Sequence, residues 1–270
     1  MKKIKILIIG KKSFLTKHYL NNSKLKNIDV VNRNLLNKKN LDDYSHILNF
    51  SLDPKNKTHN YNLTNKLDKE ICELIKGKEI IYVLPSTRLV YGNSKIKIYK
   101  ESKINTKNQD IYAINKKKIE NEVLKLRKKN YLILRISTIL AYDYFKRSLF
   151  ITTVLRNLKR INSIIIDLEI NTYKDFITIE MLSQILDKLI NKKITGVFNL
   201  SSGIPIKVND LAMNILKGYG KGKIIYKKKL KKNKSFLLNN SKLKKKIRFN
   251  VSKKYILNYG KSLGKKLINA

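Results

Sequence analysis

A single cysteine, Cys72, stands in a chain of 270 residues, so neither an intramolecular disulfide nor a thiolate metal cluster is open to it. The stretch around it, Leu67 to Ile75, has helical spacing, and with no activating partner nearby the thiol reads as core packing. Histidine is almost as scarce: His18, His46 and His59 lie far apart and match no two-ligand helical pattern, so no metal site is expected. His46 opens an apolar stretch and reads as a packed residue. Three prolines and ten glycines in a sequence that is 42% hydrophobic exclude collagenous, disordered and disulfide-scaffolded classes. Long apolar runs are missing as well. The N-terminal run, Ile4 to Ile9, follows two lysines but is too short for a signal peptide and lacks a small-residue cleavage site. No segment approaches a membrane span, so a cytoplasmic chain without membrane contact is expected. A Gly-x-Ser-x-Gly elbow and a Gly-Lys-Ser/Thr phosphate loop are also absent.

Acidic residues are few, 19 against 60 basic ones, and the formal net charge is +41. Such a charge ordinarily raises a nucleic-acid reading, because clustered Lys and Arg release counterions from phosphates. Here the lysines are scattered among many Asn and Ile, and only eight of the basic residues are Arg, the type that reads phosphates and base edges. That pattern fits the coding bias of an A/T-rich genome. The densest runs, Lys227 to Lys234 and Lys242 to Lys246, lack the aromatic interleaving of single-strand binders and read as solvated surface. No specific nucleic-acid partner is expected, although the field would raise the encounter rate of anionic small molecules.

What the chain does contain is alternation. Lys3 to Ile9, Ile28 to Val31, His46 to Phe50, Glu79 to Leu84 and Tyr131 to Ile136 are short apolar runs suited to buried parallel strands. Between them lie helical stretches, the longest being Ile114 to Lys129, with Ile119, Val123 and Leu126 on one face. This order predicts an α/β fold with a doubly wound parallel sheet, whose ligands sit beyond the carboxyl ends of the strands. After Ile139 the pattern loosens, with helices near Leu149 to Leu158, Ile179 to Ile190, Val208 to Ile215 and Tyr255 to Leu267, and strands near Ile164 to Leu168, Val197 to Leu200 and Lys223 to Tyr226. The expected division is a dinucleotide-binding domain over 1–139 and mainly a small substrate-binding lobe over 140–270, with 173–200 returning to the large sheet.

The decisive segment places Leu84-Pro-Ser-Thr-Arg-Leu-Val-Tyr-Gly92 at the end of a strand and Tyr112-Ala-Ile-Asn-Lys116 at the start of a helix, with Asp110 placed to cap it. Tyr and Lys four apart share one helical face. Alone, a Tyr-x-x-x-Lys match is weak in a chain rich in both residues. Its position 25 residues after a hydroxyl residue at a strand end strengthens it. A phenol, with pKa about 10, is a poor base at neutral pH unless an ammonium favours phenolate. Lys116 can supply that charge and also hold a cofactor ribose, while Thr87 donates a hydrogen bond to the substrate oxygen whose proton Tyr112 handles.

These blocks resemble the extended short-chain dehydrogenase/reductase family, also described as NAD-dependent epimerases and dehydratases, over almost the whole chain. Ser86-Thr87-Arg-Leu-Val90-Tyr91-Gly92 resembles the family's Ser/Thr segment ending in Val-Tyr-Gly, and Tyr112 to Lys116 falls at the usual distance. Tyr173-Lys174-Asp175-Phe176-Ile177 resembles the Arg-Asp-Phe-Ile/Val element, and Gly196-Val-Phe-Asn199-Leu-Ser-Ser-Gly203 the Gly-x-x-Asn strand and turn. The resemblance implies a Rossmann-type domain, a nicotinamide cofactor, and a Thr87, Tyr112, Lys116 catalytic unit. It implies oxidoreductase or epimerase chemistry on a nucleotide-linked sugar, and family members often pair through helices beside the sheet, which leaves a homodimer open.

Departures from the family pattern are local. The Gly-x-x-Gly-x-x-Gly loop keeps Gly10 but carries Ser13 and Thr16 at its second and third glycines, with Phe14 and Leu15 fitting between them. A Ser13 hydroxyl facing phosphate and a chain that binds dinucleotide without turnover are both readings of that change. Arg33, with no acid at the end of the second strand, leans towards NADP over NAD. Thr138 stands for a family asparagine that contacts substrate, and Lys174 for an arginine at the diphosphate. Arg88 and Leu89 follow Thr87 where sugar 4,6-dehydratases carry Asp and Glu, which disfavours dehydration and leaves 4-epimerisation or 4-keto reduction.

Overall fold

The computed structural model of the protein describes residues 3–92, 98–102, 109–143, 150–231 and 235–269. The first half runs β1 (Ile6–Ile9), α1 (Phe14–Asn22), β2 (Ile28–Val31), β3 (His46–Asn49), α2 (Leu67–Leu74), β4 (Ile81–Thr87), β5 (Ile98–Tyr99), α3 (Ile111–Arg127) and β6 (Tyr131–Ile136). The second half continues with β7 (Thr138–Leu140), α4 (Phe150–Ile161), β8 (Ser163–Leu168), β9 (Tyr173–Thr178), α5 (Ile179–Asn191), β10 (Gly196–Leu200) and β11 (Pro205–Lys207). Last come α6 (Val208–Tyr219), β12 (Lys223–Lys231), β13 (Leu237–Leu238), α7 (Ser241–Lys246) and α8 (Lys253–Ile268). Of the expected basic run 227–234 the last three residues, and of the expected helix at 149–158 its first, lie outside the described residues.

Six strands form one sheet in the order β10-β6-β4-β3-β1-β2, every pairing parallel. The continuous apolar run of β1 is explained by cover on both faces. Ile6 and Ile8 join a core with Tyr19 of α1 and Ile185 and Leu186 of α5. Leu7 and Ile9 face the opposite layer, with Ile71 and Cys72 of α2 and Ile119 and Val123 of α3. Each such side chain removed from water contributes about 1.5–3 kcal/mol. Cys72 is fully buried, and burial pushes its thiol well above the usual range, as suits an inert packing residue. His46 is fully buried as well, its Nδ1 2.9 Å from Ser45 Oγ.

The lobe has its own core, where residues of α4, β8, α6 and α8 meet. Its tightest seam is the α6–α8 crossing. A Cβ on Gly264 would lie 2.0 Å from the Ile215 carbonyl oxygen, and one on Gly218 1.9 Å from that of Lys261, so these backbones touch without side chains between them. Of segment 173–200, α5 and β10 return to the large sheet and its α1 side, but β9 does not. It pairs with β7 and β11 in a separate three-stranded sheet, because the chain leaves β6 through Ser137 directly into β7, which takes β9 as its parallel neighbour.

Candidate active site

The switch point of the sheet lies between β1 and β3, where the chain crosses to opposite sides, and Gly10 marks it. Its φ is +108°, and a Cβ would come 2.7 Å from the Ser51 backbone nitrogen just past β3. Only glycine fits there. Beyond it, Ser13 caps α1 by accepting from the Thr16 N–H at 3.0 Å, and the two hydroxyls lie 2.9 Å apart. Thr16 Oγ1 donates to the Gly10 carbonyl at 2.7 Å, so the shared proton between the hydroxyls comes from Ser13. The two residues that replace glycines thus cross-brace the loop they stand in, and the Ser13 proton is turned to Thr16. The Phe14 ring is buried and packs 4.5 Å from the His18 ring, and Leu15 packs on the same core. Beyond that packing, Phe14 and Leu15 present backbone N–H groups at the head of α1.

A cleft of about 230 Å³ opens beside this loop, lined by Arg33, Asn49, Ser51, Asp53, Asp68 and Lys116 among others. Arg33 follows β2 at the sheet edge and pairs with Glu70 of α2 at 3.1 Å. A group that engages Arg33 must therefore share it with that carboxylate. At the cleft floor Asn49 and Tyr82 both donate to Asp68 Oδ1, at 2.8 and 2.5 Å, and burial drives the Tyr82 phenol well above its ordinary value. These acids went unnoticed in the sequence because nothing in their spacing signals that α2 turns them towards β3.

β4 runs three residues past its expected end, through Pro85 to Thr87, in unbroken register with β6. α3 starts at Ile111, with the Asp110 carboxylate accepting from the Ala113 N–H at 2.8 Å as the sequence suggested. Lys116, one turn after Tyr112, is buried, and its Nζ donates to the Pro85 carbonyl at 3.1 Å. Thr87 Oγ1 accepts from the Leu89 N–H at 3.3 Å, leaving its own proton for another acceptor. Tyr112 is half-buried at the head of the helix. Arg33 and Lys116 thus meet in one cleft, and Lys116 is tied to the strand end that carries Thr87. Thr138 and Lys174 belong to the three-stranded sheet instead, Thr138 beside Phe176 and Lys174 with its Nζ 5.1 Å from the Phe150 ring.

Behind this site runs a buried polar network that the sequence did not announce. Glu120, on the inner face of α3, receives Arg135 Nη2 at 2.7 Å and Ser86 Oγ at 2.5 Å. Arg135 reaches the Tyr91 hydroxyl, which donates to Asn199 Oδ1 at 2.6 Å. Asp175 accepts from the Ser202 N–H and hydroxyl and from the N–H groups of Gly203 and Leu238. The separate sequence blocks are therefore wired together in space. Among the described residues no cluster of three His, Cys, Asp or Glu is placed to hold a metal ion, and no helix is long and apolar enough to cross a membrane.

Strand order and the switch-point glycine define a doubly wound, Rossmann-type fold with a C-terminal lobe. No protein-family profile matches the sequence, and no curated protein matches it. Solved structures do share the fold. A UDP-N-acetylglucosamine 4-epimerase from Methanobrevibacter ruminantium M1, in complex with UDP-N-acetylmuramic acid, is similar with a TM-score of 0.79 at 17% identity, covering 100% of both chains. A dTDP-glucose 4,6-dehydratase from Bacillus anthracis in complex with NAD gives 0.77 at 15%, covering 98% of this chain and 96% of that one. A dTDP-4-dehydrorhamnose reductase from Yersinia enterocolitica gives 0.67 at 21%, covering 83% and 84%.

Proposed function

We propose that this chain is an NAD(P)-dependent oxidoreductase or epimerase of the extended short-chain dehydrogenase/reductase family, acting on a nucleotide-linked sugar by 4-keto reduction or 4-epimerisation. The observation that carries the reading is the buried Lys116 ammonium, held at 3.1 Å on the Pro85 carbonyl in the cleft wall, one turn from Tyr112 and two residues from Thr87 along β4. The likeness to solved enzymes of nucleotide sugars supports the substrate class.

The residues present fit a dinucleotide: Gly10 admits close approach at the switch point, the first turn of α1 offers N–H groups, and Lys116 keeps two donors for the cleft. When bound, the nicotinamide supplies the hydride acceptor or donor. Thr87 directs its hydroxyl proton to the substrate oxygen, since its acceptor side already faces the Leu89 N–H. Tyr112 moves the proton at its phenol oxygen, and Lys116 holds the ribose. Arg88 and Leu89 supply no carboxylate for loss of water, so dehydration is not part of the proposal. Thr138 and Lys174 would meet the sugar and its diphosphate from the lobe.

The alternative, a dinucleotide-binding protein without turnover, draws on the bracing of Ser13 and Thr16 in place of glycines. One experiment separates the two. The protein is incubated with NADPH or NADH and a panel of nucleotide sugars, and products are followed by NMR. Turnover that disappears in Tyr112→Phe while cofactor binding persists supports the enzyme, and full activity in that variant rejects the mechanism.

A further inference from the structure

Arg88 opens the 3-10 turn Arg88–Tyr91 that follows Thr87. Its guanidinium carbon lies 3.7 Å from the centre of the Phe236 ring, in a small apolar cluster of Val90, Tyr91, Tyr99, Phe236 and Leu238. Burial lowers its pKa to about 10, opposed only through space by Tyr99, Asp110 and Asp175. No hydrogen bond or ion pair holds this guanidinium among the described residues. The two buried arginines contrast with it: Arg135 is clasped by Glu120, and Arg127 donates to the carbonyls of Ile75, Lys78 and Ile80. Arg88 itself is only half-buried, so its fork can be reached from solvent. Stacking one face on Phe236 orients the planar fork and leaves its five N–H donors for a bidentate anion.

The location narrows the anion. Arg88 is covalently next to Thr87, and its turn is bound to the head of α3 by Gln109, whose Nε2 donates to the Val90 carbonyl at 2.5 Å. Asp110, which acts on Arg88 through space, caps that helix two residues before Tyr112. Lys116 lines the cleft on the β3 side, whereas Arg88 stands against Phe236, whose backbone pairs with Lys174 of the lobe. Arg88 thus follows Thr87 directly along the chain, and its fork stacks on a ring whose backbone pairs with the lobe. We infer that Arg88 binds a carboxylate carried by the reacting sugar, so that the preferred substrate is an acidic nucleotide sugar. This rests on the function proposed above and names its substrate class.

Calorimetry on the cofactor-saturated protein with UDP-glucuronic acid and UDP-glucose tests it, because the two probes share a nucleotide diphosphate and differ in the carboxylate. The wild type is expected to bind UDP-glucuronic acid at least tenfold more tightly. Arg88→Met should erase the difference while leaving UDP-glucose within twofold, and Arg88→Lys, which keeps charge without the fork, should retain part of it. Equal affinities in the wild type, or a preference that survives Arg88→Met, overturn the inference. Equal weakening of both probes by Arg88→Met also overturns it, by placing the fork on the diphosphate. Binding of neither probe with intact cofactor binding rejects the nucleotide-sugar reading itself, and this inference with it.

Discussion

The ammonium of Lys116 donates to the carbonyl of Pro85 at 3.1 Å, fastening the first turns of α3 to the end of β4. A proline suits this place. It lacks an N–H, yet its carbonyl stays available, and the strand keeps register with β6 on both sides of it, Leu84 opposite Ile133 and Ser86 opposite Arg135. Lys116→Met should therefore do two things at once. Turnover should fall by about 10²-fold or more, as for loss of a proton-handling partner. NADPH or NADH affinity should fall at least tenfold in a fluorescence titration, unlike in Tyr112→Phe. An unchanged cofactor affinity would mark Lys116 as a strut only.

Ser13 is predicted to serve the helix and not the cofactor. Ser13→Ala removes the cap that accepts the Thr16 N–H and should cost about 1 kcal/mol in urea unfolding. Cofactor affinity should stay within about threefold, a shift below 1 kcal/mol. A tenfold loss of affinity with unchanged stability would assign the hydroxyl to phosphate.

Glu120 and Arg135 form a buried pair, with side chains 0% and 3% exposed. Removing one partner strands the other charge. Glu120→Gln should destabilise the protein by about 3 kcal/mol, measured by chemical denaturation. Because the same carboxylate receives Ser86, next to Thr87, turnover should fall even under conditions where the variant is fully folded. A folded variant with wild-type turnover would confine Glu120 to stability.

Two buried groups should give opposite pH trends. Burial, with Lys193 nearby, lowers the His46 pKa to about 4, so its stabilising contribution is complete above the ordinary histidine range and lost as pH falls through 4. Burial raises Asp175 to about 6 against the hydrogen bonds from Ser202, Leu238 and Gly203. The folded state then holds that proton more tightly than the unfolded chain. Stability from Asp175 is highest below the ordinary carboxylate range, declines as pH rises to about 6, and is flat above. Unfolding free energies of wild type, His46→Phe and Asp175→Asn between pH 4 and 8 separate the two. The wild-type advantage over Asp175→Asn should shrink by roughly 2 kcal/mol between pH 4 and 6. A constant difference would show that Asp175 does not titrate there.

Much of the fold was legible along the chain because parallel strands covered on both faces need continuous apolar runs, and β1, β3, β4 and β6 carry them. The Asp110 cap and the packing of Cys72 and His46 were likewise readable, since each depends on its own residue type and immediate surroundings. The place of β9 was not. An apolar strand reads the same whether it joins the large sheet or a separate one.

The sequence by itself determined the chemistry on offer: a hydroxyl at a strand end, a phenol and an amine one helical turn apart, and no thiol, histidine or acid arrangement for another reaction. It determined the alternation of strands and helices that predicts a doubly wound sheet too, because periodicity is a local property. Only the tertiary structure decided how those groups are held. It set Lys116 on Pro85, turned Ser13 and Thr16 towards each other, joined Glu120 to Arg135, and stacked Arg88 on Phe236. Each of these contacts depends on which backbone lies opposite after folding, and a side chain's partner across tens of residues leaves no mark in its neighbours along the chain.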